Sequence, residues 1–249
     1  MSSSKTKTGQ ARSAAKQNDG AAPMQPALVP STPAAQAAQH AVPATLAALF
    51  CYRFPALVAD PVAEMATALP IVAALQAGYA LVCLPLAGSQ RARAPRKPRP
   101  GEKKKAGEGA GPNYAVAVVL SVVLTALATP VVHLAIVLFG APLLTHAAHT
   151  LLCAAHLALL ALFPLFWVHG VDGAAWAALA GFGAPLDAVV GGAAGAALGA
   201  WLGAVPIPLD WDRAWQRWPV TVLAGAYAGC VVGRLAGGTV LLGRRWAAR

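Results

Sequence analysis

The chain has 249 residues, 57% apolar and only 11% charged, and several apolar runs reach the roughly 20 residues that a bilayer-spanning helix needs. A soluble globular class is thereby excluded, and the chain reads as an all-α, polytopic membrane protein. Its formal charge of +10 would suit nucleic acid only if the basic residues shared a folded face able to track phosphates; most lie in Pro- and Gly-rich segments instead, so nucleic acid is excluded as a partner.

Residues 1 to 40 are rich in Ala, Ser, Gln and Pro, carry Lys5, Lys7, Arg12 and Lys16, and hold no continuous apolar run that could form a signal-peptide core. They read as a disordered tail. Apolar spans are then expected near 41 to 59 and 69 to 87, the first being the weakest because it holds Arg53 and Pro55. The stretch 88 to 113, "GSQRARAPRKPRPGEKKKAGEGAGPN", carries eight Lys or Arg among Pro and Gly and reads as a basic flexible linker. Beyond it, a four-helix block over 114 to 249 is expected, with spans near 114 to 139, 144 to 168, 184 to 205 and 219 to 243, making six in all. Cys51, Cys83, Cys153 and Cys230 fall inside these spans without CxxC spacing, so they read as small apolar core residues rather than as a zinc site or a disulfide framework.

Lys and Arg set the orientation, since cytosolic loops carry the excess of positive charge. An even count puts both termini and the linker on one side, which collects fifteen of the nineteen basic residues, against Arg213 and Arg217 on the other. Both termini are therefore expected in the cytosol, and the loop between the fifth and sixth spans on the opposite, lumenal side.

That loop, "PIPLDWDRAWQRWP" at 206 to 219, concentrates Asp210, Trp211, Asp212, Arg213, Trp215, Arg217 and Trp218 in an apolar chain. The tryptophans are spaced i, i+4, i+7, which predicts a short helix lying in the interface, its indoles at the level of the lipid headgroups. An aromatic belt with snorkelling arginines and a docking surface for a partner or a lipid headgroup both fit the pattern.

The flanking spans carry glycine every fourth residue: Gly191, Gly195, Gly199 and Gly203 in the fifth, Gly225, Gly229, Gly233 and Gly237 in the sixth. Such ladders let helix backbones approach closely and gain contacts that lipid tails cannot match. They can face each other within the chain, or one can receive a helix from another protein.

In the fourth span His146, His149, Cys153 and His156 share one helix face. His146 and His156 are separated by roughly 15 Å of helix rise, too far for one metal ion, so a hydrogen-bonded polar stripe is the plainer reading. Arg53, Asp172, Asp187 and Arg234 are isolated charges near spans; a structural clamp between Asp187 and Arg234 is favoured over a transport role. No Ser, His and Asp set, HExxH or phosphate loop is present, and Asp210 and Asp212 are too few to hold a divalent metal. No catalytic residue, metal or cofactor is assigned, and an accessory role stands ahead of catalysis.

The run "GAWLGAVPIPLDWDRAWQRWPVTVLAGAYAGCVVG", together with "FGAPLL" at 139 to 144, resembles the signature of the PIG-F family, multi-span endoplasmic-reticulum proteins of glycosylphosphatidylinositol (GPI) anchor biosynthesis. Ala214 stands where that signature typically has Pro, which loosens a turn there, and the histidine stripe is not a family feature. The resemblance implies a non-catalytic subunit that stabilises an ethanolamine-phosphate transferase of PIG-O or PIG-G type in the endoplasmic-reticulum membrane. A small lipid or ion transporter or scramblase using the intramembrane charges and histidines is the alternative. An integral-membrane enzyme using the lumenal acids is a third and would act without a partner.

Overall fold

The computed structural model describes residues 24–89, 113–209 and 211–246, so most of the basic tail and linker, and Asp210, lie outside the described residues. Helix α1 (Pro33–Ala59) starts inside the stretch that reads as tail. "PAAQAAQH" is made of good helix formers, with Pro at the first helical position, and the Thr32 hydroxyl accepts from the Ala35 N–H (3.3 Å) to cap it. Helix α2 (Pro61–Cys83) follows after a single residue. Asp60 ends α1 and caps α2 by accepting from the Ala63 N–H (3.1 Å), and Pro61 opens the new helix. Glu64 therefore sits in the first turn of α2, where the helix dipole favours an acid, rather than in the loop its charge suggests.

After the linker come α3 (Tyr114–Leu138) and α4 (Ala147–His169), joined by the turn that contains "FGAPLL". A short α5 (Gly173–Ala180), capped by Asp172, leads to α6 (Ala188–Gly203), and α7 (Val220–Gly238) closes the fold. The structure is all-α. Five of these helices, α1 to α4 and α7, are long and apolar enough to cross a membrane, whereas α6 has only 16 residues.

Helix α4 is the axis of the bundle and packs against α2, α3, α6 and α7. Its Cys153, Leu160, Phe163 and Trp167 are buried, and Cys83 and Cys230 join the same core while Cys51 faces outward. Helix α3 lies at the periphery, with Val119, Leu127, Val131 and Leu134 exposed. An apolar outer face of this kind is suited to lipid.

The closest pair is α6 with α7, and its contact is backbone on backbone. A Cβ built on any of the eight ladder glycines would fall under 3.0 Å from main-chain atoms of the facing helix: Gly195 meets Gly229, Gly199 meets Gly225, Gly191 meets Gly233, Gly203 meets Thr221 and Gly237 meets Asp187. Both ladders face inward, against each other.

The first and last described segments meet at one end of the bundle. The Ala27 N–H donates to the Asp187 carboxylate (2.7 Å), Leu186 and Gly243–Arg244 exchange backbone hydrogen bonds (2.7 Å each), and the Ala87 N–H donates to the Trp167 carbonyl (2.9 Å). The Tyr114 ring stacks near Trp167 as well, with centroids 6.5 Å apart. Arg53, Glu64, the 139–146 turn and the 204–219 loop occupy the other end.

Gly199→Ala, whose methyl would collide with immovable backbone, is expected to lower stability by about 1–3 kcal/mol. Gly78→Ala on α2, where a Cβ meets nothing within 4 Å, should be neutral or stabilising by up to about 1 kcal/mol. Thermal melting followed by fluorescence-detected size exclusion separates the two.

Candidate functional site

The loop 204–219 is irregular, and its centre is Gln216. The Gln216 side-chain amide donates to the Pro206 carbonyl (2.8 Å) and the Leu209 carbonyl (2.5 Å), while its oxygen accepts from the Arg213 N–H (3.0 Å). One side chain thus closes the loop on itself. The tryptophan spacing predicts a helix, but only Ala214–Gln216 is helical, as a single 3-10 turn. Asp212 has φ of 46°, in the left-handed region where a short polar residue is tolerated but an α-helix cannot continue. Pro219 disfavours α conformation at Trp218 and so blocks extension from the other side.

The three indoles consequently do different things. Trp211, exposed, packs edge-on against Trp215 with ring centroids 5.8 Å apart. Trp215 and Trp218 lean on the hydrophobic core. The Trp218 indole N–H donates to the Thr150 hydroxyl (3.1 Å), which donates in turn to the Pro142 carbonyl (2.6 Å). The two segments that carry the PIG-F resemblance, "FGAPLL" and the longer run, are therefore tied through Pro142 and Trp218 by one threonine on α4. With that frame fixed, Asp212, Arg213 and Arg217 point outward, exposed and in no ion pair among the described residues.

The intramembrane charges are arranged differently from expectation. Asp187 and Arg234 do not pair. The Asp187 carboxylate is occupied as the cap of α6, accepting from the N–H groups of Val189 and Val190 (2.8 Å each) and of Ala27 (2.7 Å), donors that would otherwise be buried without partners. Arg234, only 3% exposed, donates from Nη2 to the Gln76 side chain (3.0 Å), and its guanidinium carbon lies 4.3 Å from the centre of the Tyr79 ring. Gln76 completes the link by donating to the Leu159 carbonyl (3.0 Å). At the opposite end, Arg53 on α1 pairs with Glu64 on α2 and donates to the Thr67 hydroxyl (2.7 Å).

Of the histidine stripe, only His156 is fully buried. Its Nδ1 lies 2.7 Å from the Tyr227 hydroxyl and its Nε2 3.0 Å from the Met65 carbonyl, which joins α4 to α7 and α2. His146 is exposed at the start of α4, and its ring meets that of His149 edge-on with centroids 5.1 Å apart. Among the described residues no three His, Cys, Asp or Glu side chains gather in a metal-binding arrangement. Gln76, Thr150 and Gln216 are the residues that sequence reasoning misses. For Gln76 the signal is a lone amide in the middle of an apolar span, which has to find a partner. A second signal also goes unread: the pentapeptide "FGAPL" recurs at 139–143 and 182–186, and the two copies lie at opposite ends of the bundle.

The family described as GPI biosynthesis protein family Pig-F matches residues 41–238. The chain belongs to the Pig-F family. It is 59% identical over 225 residues to glycosylphosphatidylinositol anchor biosynthesis protein 11 of Neurospora crassa, covering 90% of this chain and 82% of that protein. It is also 56% identical over 209 residues to the protein of the same name from Pyricularia oryzae, covering 84% of this chain and 78% of the relative. The Aspergillus fumigatus protein of that name is 48% identical over 247 residues, covering 84% and 83%. No solved structure matches the chain. The matched region contains the Gln216 loop, the Thr150 link and both glycine ladders.

Because Arg234 and Gln76 share a buried hydrogen bond, their substitutions should not add. Gln76→Leu alone is expected to cost about 1–3 kcal/mol, since it leaves a guanidinium donor without its acceptor. Arg234→Met should cost less in the Gln76→Leu background than alone, by about 0.5–3 kcal/mol. Strictly additive losses in a thermal-melting cycle would show that the bond carries no coupling.

Proposed function

We propose that this chain is the non-catalytic, stabilising subunit of a GPI ethanolamine-phosphate transferase in the endoplasmic-reticulum membrane, and that its partner is a catalytic subunit of PIG-O or PIG-G type. Membership of the Pig-F family supports the pathway. The observation that carries the mechanism is the Gln216-closed loop, which holds Asp212, Arg213 and Arg217 outward on a base fixed by hydrogen bonds. Arg53, His156 and Gln76 are engaged within the bundle, and Arg234 is held by Gln76 and Tyr79. This use of the interior charges weighs against a transport role. Asp210 belongs to the same proposed docking surface, as do Trp211, Trp215 and Trp218, which set it at the interface.

In this reading α6 is the fifth of six spans. At about 1.5 Å per residue it extends roughly 24 Å, short of the roughly 30 Å hydrocarbon layer. It runs along α7 through the ladders, however, so a crossing α7 carries α6 with it, and residues 204–209 complete the passage. Ala27 and the 243–244 segment meet at one end of the bundle, in keeping with an even number of crossings, and the excess of Lys and Arg in the sequence on either side of the described helices supports a cytosolic place for that end. The docking loop is then lumenal. A glycosylation acceptor placed at 212 should be modified and one at 103 should not; the reverse would overturn the orientation.

Docking through desolvated charges has a specific consequence. Truncating one member of such a pair leaves the other unpaired, at about 2–5 kcal/mol, which is roughly a thirtyfold or greater loss of affinity. Asp212→Asn and Arg213→Gln are thus expected to lower the amount of transferase recovered with the chain in mild detergent, measured by quantitative mass spectrometry, while the chain itself remains monodisperse. Normal recovery with both substitutions would return the loop to an interfacial belt.

A further inference from the structure

At the end of the bundle that carries Ala27 and Trp246, an apolar cleft opens between α4, α6 and the segment ending at Trp246. It holds about 200 Å³ and is open on one side, smaller than the sites that take whole drug-sized ligands but sufficient for a stretch of hydrocarbon chain. Leu165, Ala184 and Val190 form a buried floor, and Ala194 of α6 forms one side. Phe182 and Trp246 stand at the mouth, 65% and 53% exposed, and their rings meet edge-on with centroids 6.5 Å apart. Apart from the indole N–H, no polar side chain lines the cleft.

The wall bearing Trp246 is fixed. The Leu186 N–H donates to the Arg244 carbonyl and the Gly243 N–H to the Leu186 carbonyl (2.7 Å each), and Pro185 and Arg245 form an antiparallel bridge. Arg244 and Arg245 are consequently held beside the mouth with exposed side chains. Arg245 donates to the Met24 carbonyl (3.3 Å), and neither arginine makes an ion pair among the described residues. The combination is two-part: a hydrocarbon slot with two aromatic rings at its mouth, and two exposed arginines in the backbone segment next to Trp246. Basic rims over apolar gaps between membrane helices suit anionic lipid headgroups, and the apolar slot suits the chain attached to one.

We propose that this cleft holds an acyl chain of one anionic phospholipid, with Arg244 and Arg245 on its phosphate. The Phe182–Trp246 pair closes over the chain, and the second "FGAPL" segment, which supplies Phe182 and Ala184, builds the site. The lipid would staple the C-terminal segment to α4 and α6.

The test uses the full chain in mild detergent, supplied with equal amounts of phosphatidylserine and phosphatidylcholine carrying identical acyl chains, and weighed by native mass spectrometry. Wild type is expected to retain one phosphatidylserine in preference to phosphatidylcholine. Arg244→Gln with Arg245→Gln should lower phosphatidylserine retention about thirtyfold and leave phosphatidylcholine unaffected. Ala194→Phe, which fills the slot, should abolish retention of both lipids; should that variant fail to fold, Trp246→Ala at an exposed position opens the mouth and carries the same expectation. Equal retention of the two lipids by wild type, meaning annular contact only, would overturn the proposal. So would phosphatidylserine retention unmoved in the folded slot or mouth variant, retention of no lipid, or displacement of the lipid by a co-purifying protein.

Discussion

The contact between the backbones of α6 and α7 sets the geometry at both ends of the bundle, because glycine ladders leave those two helices only one way to fit. With no Cβ between them, Gly191, Gly195 and Gly199 seat against Gly233, Gly229 and Gly225, where an added methyl would meet the facing main chain. Lipid offers no hydrophobic reason for helices to associate, so close main-chain packing supplies the attraction that side-chain burial supplies in water. The connection between the two helices must then span a narrow gap, and the chain fills it with the loop closed by Gln216. The opposite ends of the same helices bring Asp187 beside Gly237 and place Leu186 against the C-terminal segment.

Around that pair, polar side chains act as cross-links between helices. His156 ties α4 to α2 and α7, Gln76 and Arg234 tie α2 to α4 and α7, and Arg53 with Glu64 ties α1 to α2. Each uses a hydrogen bond that would be costly to leave unmade in the membrane interior. The same residues, read one at a time along the chain, resemble the charges of a transport pathway; read together, they hold the bundle that presents the 204–219 loop. The Trp218–Thr150–Pro142 chain then ties that loop to α4 and to the 139–146 turn.

Much of the architecture is legible in the sequence because membrane helices are specified by long apolar runs and glycine spacing, both local signals. The existence of the spans at 114–139, 144–168 and 219–243 follows from them, as does the all-α class. Boundaries are less legible where a capping residue does two jobs. Asp60 ends one helix and begins the next, so a stretch with Glu64 reads as a loop when it is the first turn of α2. The loop between α6 and α7 shows the limit of periodicity: i, i+4, i+7 tryptophans predict a helix, but Asp212 and Pro219 set backbone angles that periodicity does not see. Asp187 and Arg234 have complementary charges at compatible depths, and the positions of Ala27, Gln76 and Tyr79 decide that each is engaged elsewhere, the guanidinium through Nη2 and the Tyr79 ring. Such choices depend on which helices are neighbours, which the family resemblance supports but composition does not supply.

The proposed contact between the 204–219 loop and the transferase can be tested by site-specific photo-crosslinking in native membranes. A photoreactive residue in place of Arg217, exposed on the Gln216-closed loop, is predicted to give one covalent adduct with the catalytic subunit, while the same residue in place of Val123 on the outer face of α3 gives lipid adducts only. Adducts with the transferase from α3 and none from the loop would contradict the account, because the partner would then be held by an apolar helix face and the charged loop would have no part in the assembly.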